Sequence, residues 1–200
     1  MTHLTHRFER AFLYASQVHG GQLRKGTQSP YIAHLMAVAA TVIEYGGGED
    51  QAVAALLHDA AEDHGGLARL ADIEARFGGR VARIVEHLSD NIIDGREDTL
   101  PWRERKEAYL KALKTHPEES VLVSLADKVH NARATLRDFR KQGVGDKVWD
   151  RFRRPREQTL WYYNALAEIF LERCAGDCPS RQLAEELRAI VDTLERETAP

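Results

Sequence analysis

The feature that most constrains this chain is the run Ala54-Ala55-Leu56-Leu57-His58-Asp59-Ala60-Ala61-Glu62-Asp63-His64-Gly65-Gly66. An apolar helical segment runs into a His-Asp doublet. Four residues later it produces a second doublet, Glu62-Asp63, and two glycines stop it. On a continuous helix positions i and i+4 lie one above the other, so this spacing stacks Glu62 on His58 and Asp63 on Asp59. Three carboxylates then crowd a helix C-terminus, where unsatisfied carbonyls already place partial negative charge. A solvated acidic end capped by Gly65 or Gly66 would account for one such acid. An imidazole and three acids directly after Leu56-Leu57 call for a cation.

One doublet cannot fill a coordination shell, so the remaining ligands must come from helices that pack against this one. His34 stands among apolar neighbours in Tyr31-Ile32-Ala33-His34-Leu35, and Asp127 ends the apolar run Val121-Leu122-Val123-Ser124-Leu125-Ala126. Alone, His34 reads as a hydrogen-bonded core histidine and Asp127 as the partner of a lysine or arginine. A buried carboxylate needs a cation or several donors. With His58 and Asp59 they make a two-His, two-Asp site, a donor set suited to manganese, iron or zinc rather than calcium. A divalent cation there acidifies water and neutralises phosphate oxygens, and Glu62 or Asp63 can orient that water or carry its proton. Arg24 and Lys25, in the polar loop 22–30, supply the positive charge that a polyphosphate requires.

The frame is helical throughout. The apolar periodicity predicts helices over 4–19, 30–46, 49–63, 67–77, 81–90, 102–113, 118–142, 155–174 and 180–197, with an irregular acidic segment at 91–101. No stretch has the strand period, no repeat recurs and no linker divides the chain. The expectation is an all-α, single-domain helical bundle over 1–200, a length that suits one core. The basic residues Arg151, Arg153, Arg154 and Arg156 read as solvated or paired with Asp150 and Glu157. Arg103, Arg105 and Lys106 read as helix surface, and Trp161, Tyr162 and Tyr163 as packing.

A net charge of -3 with mixed signs argues against a nucleic-acid or membrane-surface partner. The longest apolar run, 36–43, is too short to span a bilayer, and the first residues lack the apolar core of a signal peptide. Two cysteines, Cys174 and Cys178, are too few for a disulfide framework, which fits a reducing cytoplasm. Nothing in the sequence specifies an oligomeric state.

His34, His58-Asp59 and Asp127 resemble the H…HD…D pattern of the HD-domain metal-dependent phosphohydrolases. The segments His19-Gly20-Gly21-Gln22-Leu23-Arg24-Lys25, Pro30-Tyr31-Ile32-Ala33-His34, His58-Asp59-Ala60-Ala61-Glu62-Asp63 and Leu125-Ala126-Asp127-Lys128-Val129-His130-Asn131-Ala132-Arg133 narrow the resemblance. They are similar to the hydrolase domain of the RelA/SpoT alarmone enzymes and their small stand-alone relatives, over residues 8–170. The resemblance implies Mn²⁺ on the four ligands, Glu62-Asp63 as a catalytic pair, and removal of the 3′-pyrophosphate from guanosine tetra- or pentaphosphate. It also implies that Arg24 stacks on the guanine and Asn131 bonds the nucleoside. Leu35 stands where the family commonly has proline, and Ala134 where it often has threonine. The second departure leaves open an HD-type nucleotidase on another nucleotide; a degenerate nucleotide-binding regulator is the remaining alternative.

Overall fold

The computed structural model describes residues 2–89, 100–152, 155–176 and 178–199. Within them the chain forms α1 (His6–Val18), α2 (Ile32–Glu44), α3 (Glu49–Leu57), α4 (Ala60–Asp63), α5 (Gly66–Phe77), α6 (Gly79–Leu88), α7 (Trp102–Leu113), α8 (Glu118–Phe139), a 3-10 turn (Gly145–Arg151), α9 (Arg156–Arg173) and α10 (Arg181–Glu197). No strand occurs among the described residues, and the expected all-α class holds. Most of the irregular segment at 91–101, together with Arg153 and Arg154, lies outside the described residues.

Two helices organise the rest. In α3 every residue from Ala52 to Leu57 is buried, as a helix apolar on all sides must be. It packs against α1, α2, α6 and α8. The long α8 lies against α2, α3, α6, α9 and α10. Its first half is buried continuously from Ser120 to Asp127, so an ionisable side chain at 127 is carried into the core by its neighbours. Each fully buried leucine, such as Leu57 or Leu125, contributes on the order of 1.5–3 kcal/mol. α10 closes the bundle with Leu183, Leu187, Ile190, Val191 and Leu194 on one face.

The expected helix over 49–63 is two helices. The His58 ring Nδ1–H donates to the Ala55 carbonyl at 2.9 Å, an acceptor that serves the Asp59 N–H in an uninterrupted ladder. α3 therefore ends at Leu57, Asp59 takes φ -92° and ψ -6°, and α4 restarts at Ala60. Gly65, at φ 113°, reverses the chain into α5, a conformation that glycine adopts without steric cost.

Candidate metal centre

The break between α3 and α4 does more than end a helix. Because a carbonyl can only accept, the bond to Ala55 puts the His58 proton on Nδ1 and leaves the Nε2 lone pair facing inward. His34, one turn into α2, is placed the same way. Its Nδ1 lies 2.8 Å from His130 Nδ1, and its Nε2 points at the same region. Both Nε2 atoms are buried without a hydrogen bond.

Carboxylates meet these two atoms. Asp59 Oδ2 lies 2.9 Å from His58 Nε2 and 3.5 Å from His34 Nε2. Asp127 Oδ1, from α8, lies 3.2 Å from His34 Nε2 and 3.6 Å from His58 Nε2. The ligand atoms of His34, His58 and Asp59 all fall within 4.8 Å of one another. Three segments far apart in sequence, α2, the α3–α4 break and α8, thus aim two imidazole nitrogens and two carboxylates at one point. Two orphaned lone pairs beside two acids fit a divalent cation, since buried polar atoms otherwise find partners.

The electrostatics agree. Burial opposes charge on His58, yet the Asp59 and Asp127 carboxylates raise its pKa well above the ordinary imidazole range. Burial likewise opposes charge on Asp127, but Lys128 and the two histidines hold its carboxyl well below the usual range. Asp59 is held down in the same way, chiefly by His58 against the cost of burial. The acids that favour positive charge on His58 would favour a divalent cation in the space they share.

Both carboxylates are also held by hydrogen bonds from outside the cluster. Tyr31 donates its hydroxyl to Asp59 Oδ2 at 2.7 Å. Lys128 Nζ donates to Asp127 Oδ2 at 2.6 Å, and Asn131 Nδ2 to Asp127 Oδ1 at 2.6 Å. Arg24 Nη2 donates to Asn131 Oδ1 at 2.6 Å, and its guanidinium lies 5.5 Å from the Tyr31 ring centre. The loop carrying Arg24 is closed by the bridge between Leu23 and Pro30. It is backed at Gly26 by Arg151, whose side chain leaves no room for a Cβ there. Lys25 is exposed on that loop.

A cavity of about 120 Å³ opens beside the cluster, lined by Asp59, Asp127, Glu62, Lys128 and Asn131 among others. Glu62 faces it; Asp63 does not line it and instead accepts from Gln22 Nε2 at 2.9 Å. The sequence-expected residues are therefore brought together with two exceptions, Lys25, exposed on its loop, and Asp63, turned to Gln22. The structure also corrects two surface readings. Lys106, expected on the helix surface, lines the cavity, because α7 and α9 pack together across its far side; Tyr162 is buried in the core as expected and lines the cavity as well. Arg151 pairs with Asp138 at 2.6 Å, not with Asp150. Sequence reasoning missed Tyr31, Lys128 and His130 as site residues, although Lys128 and His130 adjoin Asp127 and Asn131 and Tyr31 lies three residues before His34: the signal was their place in the same short segments.

This geometry has counterparts. The HD domain family model matches residues 11–154, and the chain belongs to the HD domain family. Among its relatives is the bifunctional (p)ppGpp synthase/hydrolase SpoT of Escherichia coli K12, 35% identical over 167 residues, which cover 80% of this chain and 21% of that one. Another is the guanosine-3′,5′-bis(diphosphate) 3′-pyrophosphohydrolase MESH1 of Xenopus tropicalis, 38% identical over 123 residues, covering 60% and 64%. The chain thus spans less than two thirds of either relative. A metazoan orthologue of SpoT that hydrolyses ppGpp shares the fold, with a TM-score of 0.73 over 99% of both chains at 23% identity. No helix among the described residues is long and apolar enough to cross a membrane.

Proposed function

We propose that this chain is a cytoplasmic, Mn²⁺-dependent phosphohydrolase that removes the 3′-pyrophosphate of guanosine 3′,5′-bis(diphosphate) and of the corresponding pentaphosphate, within a single HD domain spanning residues 1–200. The observation that carries the reading is the convergence of the His34 and His58 Nε2 atoms with Asp59 and Asp127 beside a cavity edged by Glu62. The naming of relatives as ppGpp hydrolases supports the substrate.

His34, His58, Asp59 and Asp127 would hold the cation, which supplies Lewis acidity to phosphate oxygens and to water. Tyr31, Lys128 and Asn131 hold the two carboxylates in place through their remaining lone pairs. Glu62 takes the proton of the attacking water, with Asp63 beside it. The water oxygen bonds to the phosphorus on the ribose 3′-oxygen, the bond from that phosphorus to the 3′-oxygen breaks, and the 3′-oxygen leaves as an alcohol with the proton that Glu62 took from the water. The products are pyrophosphate with GDP from the tetraphosphate and with GTP from the pentaphosphate. Arg24 stacks against the guanine once it releases Asn131, which then bonds the nucleoside, and Lys25 meets phosphate charge from the loop.

The test is product analysis with Mn²⁺ across guanosine tetraphosphate, nucleoside monophosphates and NADPH. GDP with pyrophosphate from the first is the expected result. Cleavage of a monophosphate with guanosine tetraphosphate left intact overturns the substrate and favours an HD-type nucleotidase.

A further inference from the structure

A second group of polar side chains stands behind Asp63. The ligand-type atoms of His19, Asp63 and His64 lie within 4.8 Å of one another, and the Gln22 amide sits among them. Gln22 Oε1 is 2.7 Å from His19 Nδ1 and 2.7 Å from His64 Nε2, and Gln22 Nε2 donates to Asp63 Oδ2 at 2.9 Å. Three hydrogen bonds thus occupy the space a cation would take, so the group is a hub rather than a metal site.

Only one arrangement of protons satisfies it. An ionised carboxylate can only accept, so the amide NH₂ must face Asp63 and its oxygen must face the rings. Each imidazole must then present an N–H: His19 on Nδ1 and His64 on Nε2. Burial lowers the His19 pKa, which keeps that ring neutral with a single proton to place. His19 is buried, and its ring stacks on Tyr31 with centroids 5.0 Å apart. The Gln22 backbone is fixed as well, since its N–H donates to His19 O at 3.0 Å and its carbonyl accepts from Tyr31 N–H at 2.8 Å. Gln22 lies two residues before Arg24, on the loop that meets the substrate. The hub therefore joins that loop to α4.

We propose that Gln22 is a positioning residue for hydrolysis: it holds the Asp63 carboxylate in place, and His19 and His64 clamp its amide in the one orientation that can do so. This rests on the hydrolase reading of Asp63 given above.

Two substitutions separate the clamp from the positioning. Gln22→Met removes all three side-chain bonds at similar size, while Gln22→Glu keeps an acceptor for both rings and loses the donor to Asp63. Both should retain metal content and leave KM nearly unchanged, while kcat falls roughly 10–100-fold. In an Asp63→Ala background Gln22→Met should cost nothing further, because its effect passes through Asp63. An unchanged kcat in both single variants, or an equal loss with and without Asp63, would overturn the proposal.

Imidazole ¹⁵N spectra of the full chain loaded with diamagnetic zinc need no substrate. His19 should carry its proton on Nδ1 in the wild type and in Gln22→Glu, and lose that preference in Gln22→Met. A His19 tautomer indifferent to Gln22→Met would also overturn the clamp. If the wild type leaves guanosine tetraphosphate intact, the substrate reading fails alone, and the same kinetic cycle is run on whichever nucleotide it cleaves.

Discussion

Two pairs of histidines pack against α8, and they behave in opposite ways. His34 and His58 meet edge to face, with centroids 5.2 Å apart, below Asp127. His87 and His116 stack nearly parallel at 4.5 Å, and what α8 offers them is the Ser120 hydroxyl, 2.9 Å from His87 Nδ1. The first pair has two carboxylates within 3.6 Å of its Nε2 atoms. The second has the Arg173 guanidinium nearby, bonded to the Leu113 and His116 carbonyls. Carboxylates raise the His58 pKa, whereas burial, His87 and Arg173 push His116 down to about 4. A packed imidazole pair is thus not a metal site in itself; the acids that share its space decide which cation, if any, it can hold.

The largest effects should fall on the first pair alone. His58→Ala or Asp127→Ala should abolish metal retention after dialysis, since each removes a donor supplied by a different helix. His116→Ala, measured in the same way, should retain the wild-type metal content. Full retention in both of the first two would break the contrast between the pairs.

Chemistry should separate from metal binding one step further out. Glu62→Gln keeps the shape of a cavity-lining side chain and removes its charge, so kcat should fall by roughly 10²–10⁴-fold if it carries the proton. Metal content should not change. Near-normal turnover would make Glu62 a structural acid and leave the site without its proton carrier.

A smaller effect sharpens the comparison from behind the cluster. For His34 Nε2 to face a cation, its Nδ1 must carry the proton and donate to His130 Nδ1, 2.8 Å away. Burial, with His34 and Arg24 close by, pushes the His130 pKa down to about 4, so this ring is neutral and able to accept. His130→Ala should therefore weaken metal binding by roughly 10–100-fold, the usual cost of losing a ligand's hydrogen-bond partner. Metal titration by calorimetry reads it, and an unchanged affinity would mean that His34 is oriented by packing alone.

The sequence announces some of this and hides the rest for a physical reason. Periodicity exposes the helices because each buries one face, and α3 stands out as the helix apolar on all sides. Asp127 is conspicuous because an acid ending a run of five apolar residues and one serine has to be carried into the core. The break at His58-Asp59 is invisible, since it depends on which carbonyl an imidazole proton takes, a choice that helical periodicity does not record. Lys106 and Tyr162 read as surface and packing because the wall they share exists only once α7 meets α9. Gln22 is the clearest case: a polar loop residue acquires its role from two rings and a carboxylate that come from the ends of other elements.

The finest test lies with the second pair, through its response to acid. His116 has an ordinary pKa of 6.5 when unfolded and about 4 when folded, because burial, then His87 and Arg173, disfavour its charged form. Between those values the unfolded chain binds a proton that the folded chain does not, so this residue makes stability fall as pH drops from about 6.5 toward 4. Above that window both states are neutral, and below it both are charged, so the contribution is flat on either side. His116→Gln removes this titration and leaves the other depressed imidazoles, His19 and His130, in place. Urea midpoints taken across pH 4–7 should show a wild-type curve steeper than that of the variant, with the gap in slope confined to this window. Because His116 is only half-buried and solvent screens it, the difference should be a fraction of one proton's full linkage. Parallel curves would mean that the stacked pair tolerates charge after all, and that the two histidine pairs differ in their ligands but not in their response to protons.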